Sequence, residues 1–205
     1  MHQDNNKKKR NILGSFGTLL IVIGISMIVW SYTSTYLEKR SIDKEMQAFF
    51  EAPMLTDDDD FVMPEEAHEN DLWRLEIDVL DIDHPVIQSS NWDYLNRYLV
   101  AWDHSPVPPN NGNFSIAGHN GRCASCVFRN FDKLKIGDQV KISDKENTYV
   151  YDITDIFEVI YTDVSVLEDT PDKPTLTLVT CTKQITYDEY RTIVKAELVE
   201  TISKI

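Results

Sequence analysis

The texture of hydrophobic and polar positions changes twice along the 205-residue chain. Residues 11–37, NILGSFGTLLIVIGISMIVWSYTSTYL, carry no charged side chain. Their most apolar part, Ile12 to Trp30, spans a hydrocarbon core of ~30 Å at ~1.5 Å per helical residue, which predicts a transmembrane helix. Tyr32, Tyr36 and then Glu38-Lys39-Arg40 follow it in place of the small residues of a cleavage site, so the helix reads as an uncleaved anchor. Beyond it, Ile42, Met46, Phe49 and Phe50 recur at helical spacing and predict a short amphipathic stalk. The stretch TDDDDFVMPEEAHEND, residues 56–71, is acidic and broken by Pro64, as a solvated tether would be.

From Leu72 the chain turns to short alternating runs. LWRLEIDVL, DHPVIQ, NFSIAGH, DQVKIS, TYVYDITDIFEVI, TLTLVTC and YRTIVKAELVE read as strands, and NWDYLNRYL as a helical turn. Asn111-Gly112, Ile136-Gly137-Asp138 and Pro171-Asp172 supply the breaks. Strands at this density, with few helical segments between them, predict an all-β domain, a closed or nearly closed antiparallel barrel. The expected organisation is a basic tail over 1–10, an anchor over 11–37, a helical stalk and acidic linker over 38–71, and the barrel over 72–205.

Charge adds an orientation. Lys7, Lys8, Lys9 and Arg10 precede the apolar span, which places the N-terminus in the cytoplasm and the remaining chain outside. With Asp4 the first ten residues carry net +3, so the total of −14 leaves −17 for everything after them. So acidic an exterior argues against nucleic acid as a partner, since phosphate binding needs clustered Lys and Arg. The chain has three cysteines, Cys123, Cys126 and Cys181, an odd count for an exported domain that leaves one thiol outside any internal pairing.

The period of two in a strand assigns side chains to faces. In TLTLVTC, Leu176 and Leu178 take the core face and Thr175, Thr177, Val179 and Cys181 the other. In YRTIVKAEL, Val194, Ala196 and Leu198 point inward, leaving Arg191, Ile193, Lys195 and Glu197 outside. In NFSIAGH, Phe114 and Ile116 point inward and Ser115, Ala117 and His119 away. Cys181, His119 and Arg191 therefore share the outward side, and a hairpin across 182–189 returns Arg191 beside Cys181. A thiol, an imidazole and a cation together suit acyl transfer: the thiolate attacks, the imidazole protonates a leaving amine, and the guanidinium, which stays protonated, donates to a carbonyl oxygen as charge develops on it.

SIAGH with His119, TLTLVTC with Cys181, Arg191 opening the last strand, and TDVSVLED before the cysteine strand together resemble a sortase, over about residues 72–200. The resemblance implies an eight-stranded barrel with short helices, and a membrane-anchored cysteine transpeptidase that cuts an LPxTG-like signal of a surface protein and passes it, through a thioester, to an amine of a cell-wall precursor or pilin. It implies Cys181 as nucleophile, His119 as general acid and Arg191 as oxyanion and substrate contact. It also assigns Thr180 to the oxyanion pocket and Ala117, Val164, Val166 and Leu167 to the groove for the Leu-Pro part of the signal; plain core packing is the competing reading of those apolar residues. The housekeeping type, class A, fits first and class D next, with a pilus-building enzyme as an alternative. Some members bind calcium through acidic residues in the loop before the histidine; here that loop reads AWDHSPVPPNNGN, which does not support a calcium dependence, and no metal or cofactor is expected.

HNGRCASC departs from the pattern. Cys123 and Cys126 form a C-x-x-C, which reads as a disulfide or redox pair, as two unremarkable thiols, or, with His119 and Cys181, as a zinc set that would consume the nucleophile. A membrane-tethered thiol-redox or zinc-binding domain is thus the rival from another function class.

Overall fold

The computed structural model describes residues 4–51, 71–121, 123, 125–182 and 189–204. The acidic tether expected over 56–71 lies outside the described residues except for Asp71, and so do 183–188 of the expected hairpin connection. The chain divides into two compact units, residues 1–41 and 42–205.

A single helix, α1, runs from Asp4 to Glu51, so the anchor and the stalk read separately from the sequence are one continuous element. Its apolar stretch falls in Gly17–Lys44, where Leu19, Leu20, Ile21, Met27, Ile28 and Val29 are all exposed. Exposed along so apolar a stretch, the helix is long and apolar enough to cross a membrane. Four hydroxyls within it bond the helix backbone, among them Ser26 Oγ, which donates to the carbonyl of Val22 at 2.8 Å, and Thr33 Oγ1, which donates to that of Val29 at 2.7 Å. Backbone acceptance of this kind hides a polar group inside a lipid-facing helix.

The remaining strands are β1 (Leu72–Ile77), β2 (Ile82–Gln88), β3 (Leu99–Ala101), β4 (Gly112–Ala117), β5 (Gln139–Ser143), β6 (Asn147–Ile160), β7 (Pro174–Cys181) and β8 (Tyr190–Ser203). They form a closed barrel in the order β1-β2-β3-β4-β7-β8-β6-β5, with β5 returning to β1. Two pairings, β2 with β3 and β4 with β7, are parallel, so the barrel is mixed where the sequence pattern predicted antiparallel. The reason is connectivity: β5 and β6 intervene between β4 and β7, and so long an excursion returns the chain in the same direction. β3 is the strand missing from the sequence reading, because three residues between Tyr98 and Trp102 are too few to display a period. The first predicted strand also ends early, at Ile77. Asp78–Leu80 forms a 3₁₀ turn closed at Asp81, whose φ of 53° is a conformation aspartate tolerates better than most residues.

The barrel interior is one apolar cluster. Leu75, Ile77, Val86, Leu99, Phe114, Ile116, Ile142, Leu176, Leu178 and Val194 are all essentially inaccessible, and Trp73 lies 5.4 Å from the Phe114 ring, centroid to centroid. At ~25 cal/mol per Å² of apolar surface buried, such an interior is the main force that closes the barrel. β6 and β8, each 14 residues, form its longest ladder, bent by register shifts at Val150/Tyr151 and Ile153/Asp155.

Candidate active site

β7 places Leu176 and Leu178 in the core, as its alternation requires, and Cys181 at its end on the opposite side. β8 runs antiparallel to it, with Cys181 directly opposite Arg191 in register. On the other flank β4 pairs with β7 in parallel, Ala117 opposite Val179, and the Gly118 amide donates to the Val179 carbonyl at 3.1 Å, extending the ladder by one residue. His119 follows at once. Its carbonyl accepts from the Phe128 amide at 3.1 Å, and the neighbouring Asn120 Nδ2 donates to the Cys181 carbonyl at 2.6 Å. The histidine segment is thereby tied to the cysteine strand from both sides.

Cys181, His119 and Arg191 line one cleft of about 290 Å³. Ala117, Thr180, Val164, Val166 and Leu167 line the same cleft, so all eight residues singled out for a substrate site come together. Cys181 is partly exposed and outside any disulfide. Thr180 is 2% exposed, and its hydroxyl donates to the Gly118 carbonyl at 2.7 Å, another tie between the two strands. Arg191 Nη1 donates to the Tyr190 carbonyl at 3.0 Å, and the guanidinium carbon lies 5.9 Å from the centre of the Tyr161 ring. An aromatic face at that distance attracts a cation. Tyr161 and Trp102, both on the cleft wall, are among the lining residues that sequence reasoning did not single out. The available signal for Tyr161 was its place just past β6, where Val159 already pairs with Arg191.

The outward face of β7 is less open than its alternation suggested: Thr175 and Thr177 are buried. The segment between β6 and β7, which contains a 3₁₀ turn at Ser165–Leu167, covers them. Asn113, itself 1% exposed, sits between strand and segment, its Nδ2 donating to the carbonyls of Val166 (3.0 Å) and Glu168 (3.1 Å) and its Oδ1 accepting from the Thr177 hydroxyl at 2.5 Å. Lys195 Nζ also donates to the Val166 carbonyl, and burial pushes its pKa down.

Cys123 and Cys126 are joined by a disulfide with Cα atoms 5.0 Å apart, Cys126 buried and Cys123 exposed. In this oxidised form neither sulfur is a thiolate donor to a site with His119 and Cys181. Among the described residues no three His, Cys, Asp or Glu side chains are grouped to hold a metal ion.

A thiol, an imidazole and a guanidinium around one cleft on a closed barrel are the groups that cysteine acyl transfer uses. The sortase domain profile matches residues 75–199. Sortase A of Bacillus anthracis is 26% identical over 96% of this chain and 99% of its own. Among solved structures, a sortase D5 transpeptidase of Clostridium perfringens superposes with a TM-score of 0.62 at 30% identity, over 80% of this chain and 99% of that one. Sortase A of Listeria monocytogenes does so at 0.58 and 28% identity, over 65% and 90%. The chain belongs to the sortase family, a family of cysteine transpeptidases.

Proposed function

We propose that the protein is a membrane-anchored transpeptidase of class A, with class D next, that cleaves an LPxTG-like sorting signal and transfers the surface protein bearing it to an amine of a cell-wall precursor. The observation that carries this reading is the register pair Cys181–Arg191 with His119 on the same cleft. In it, residues 1–10 lie in the cytoplasm, 11–37 cross the membrane, 38–71 act as stalk and linker, and the barrel of 72–205 works outside.

The thiolate is the nucleophilic form of cysteine, and the reaction begins from it, with His119 carrying the proton that the leaving amine needs. The Cys181 sulfur attacks the threonine carbonyl of the signal while Arg191 donates hydrogen bonds to the oxygen that becomes negative. Collapse breaks the C–N bond, His119 delivers its proton to the departing glycine amine, and the acyl group stays on sulfur as a thioester. An acceptor amine then attacks the thioester, loses a proton to the His119 imidazole, and expels the Cys181 thiolate. The apolar walls at Ala117, Val164, Val166 and Leu167 suit the Leu-Pro portion of the signal, whose burial there would orient the scissile bond.

Incubation with an LPxTG peptide and a small amine, followed by intact mass measurement, tests the assignment. A thioester on Cys181, lost in Cys181→Ala and kept in Cys123→Ser, is the expected result. Absence of any adduct on the wild type, with equimolar zinc co-purifying, would favour the metal-site reading instead.

A further inference from the structure

The segment between β6 and β7 supplies Val164, Val166 and Leu167 to the cleft, yet its own backbone makes only one 3₁₀ turn. An isolated turn of that size does not fix a loop against a barrel. Something else must set where the groove wall stands.

The far end of the segment is tied through Thr170, whose hydroxyl meets the Gly112 carbonyl at 2.8 Å and the Thr175 hydroxyl at 2.7 Å, and through Asp169, which accepts from the Asn113 amide at 3.3 Å. At Val166, on the wall itself, two barrel side chains reach it. Asn113, on β4, spends both amide hydrogens on the carbonyls of Val166 and Glu168, while its oxygen accepts from Thr177 on β7. Lys195, on β8 opposite Thr177, places its ammonium on the same Val166 carbonyl. β4 and β8 thus hold one carbonyl of the wall directly, and β7 steadies it through Asn113. The two residues differ in kind. Asn113 is a buried amide whose satisfied network stabilises the fold itself. Lys195 is only half-buried, and an ammonium on a carbonyl is a charge-assisted bond. The same burial lowers its pKa, a cost that the fold tolerates in keeping the contact. Lys195 does not line the cleft, so its part is played through Val166.

We propose that Lys195, with Asn113, is a positioning residue for recognition of the sorting signal: the pair clamps the Val166–Glu168 backbone to the barrel and so pre-forms the apolar wall of the groove. This rests on the reading of the cleft as the signal-binding groove. A pre-formed wall spares the peptide the ordering of the loop, and loss of the clamp therefore falls on binding rather than on the reacting atoms.

The test uses the full chain in detergent with Lys195→Met, which keeps the aliphatic stem, and Lys195→Gln, which restores a donor without charge. For Lys195→Met, KM for the LPxTG peptide should rise about tenfold with kcat within about twofold, the size expected for one charge-assisted hydrogen bond. Lys195→Gln should recover part of that loss. Amide exchange across 163–170 should quicken in Lys195→Met without peptide, while alkylation of Cys181 by iodoacetamide keeps its rate. Unchanged exchange, or faster exchange with unchanged KM, overturns the proposal. Exchange is read without turnover, so a wild type that never forms a thioester would sink the functional reading while the clamp is judged separately.

Discussion

Gly118 has no room for a β-carbon: one built there would fall 2.5 Å from Leu99 Cδ2 and 2.6 Å from Phe128 Cδ2. Both neighbours are fully buried, so neither can step aside cheaply. Gly118→Ala is expected to cost ~1–3 kcal/mol in urea unfolding, by overpacking, and to lower turnover more than tenfold, since relief by backbone movement would shift His119. The chemical residues should behave in the opposite way. His119→Ala and Arg191→Ala leave the core untouched and should melt near the wild type while losing roughly 10²–10⁴-fold in kcat/KM, measured by peptide turnover. Near-normal rates would reject their roles. At this scale the sequence was informative about faces and silent about neighbours. The period of two put Cys181, Arg191 and His119 outward, whereas Phe128 beneath Gly118, Asn113 beneath Val166 and Tyr161 beside Arg191 are contacts that only the closed barrel creates.

Strands were legible where they were long and alternating, as β6, β7 and β8 are, and illegible where the barrel itself supplies the reason for extension. β3 pairs Leu99 with Val86 and Val100 with Ala117, so its two neighbours make it a strand, not its own three residues. The parallel β4–β7 pairing was likewise out of reach, because strand order depends on pairing across sixty residues. The β5–β6 hairpin, by contrast, is locally built: Asp144 accepts from the amides of Glu146 and Asn147 through Oδ1 and from Tyr149 Oη through Oδ2, at 2.9 Å. Burial first, and the Asp144 carboxylate second, push the Tyr149 pKa up to about 12. Between pH 10 and 12 the unfolded chain has released this proton and the folded chain still holds it, so unfolding releases a proton and stability falls as pH rises. Tyr149→Phe should lose ~1 kcal/mol near pH 7, the worth of one hydrogen bond, and show a shallower fall across that alkaline window in urea titrations. Buried Tyr151, whose pKa is also raised by burial, preserves part of the slope. An identical slope in the variant would refute the assignment to Tyr149.

The barrel and the long helix differ in where their apolar surface lies. The cluster that closes the barrel draws on residues from Trp73 to Ala196, and none of its members comes from α1. The helix offers apolar side chains along Gly17–Lys44, most of them exposed, with Ile42 buried near its end. Hydrophobic stabilisation of the barrel therefore comes from its own strands, while the exposed stretch of the helix is long and apolar enough to cross a membrane. This separation was legible in the sequence because an uncharged run of membrane length and an alternating run have unlike periods, and nothing about long-range pairing was needed to tell them apart. It also predicts how the parts separate. A fragment of residues 72–205 should be soluble without detergent, show a single cooperative unfolding transition, and cleave a short LPxTG peptide within about threefold of the full chain, because every residue lining the cleft lies between Leu95 and Ile193. The full chain should sediment with membranes and resist carbonate extraction. A fragment that precipitates, or that unfolds without cooperativity, would mean that part of the barrel's stability comes from the residues removed, and that the independence argued from its core is false.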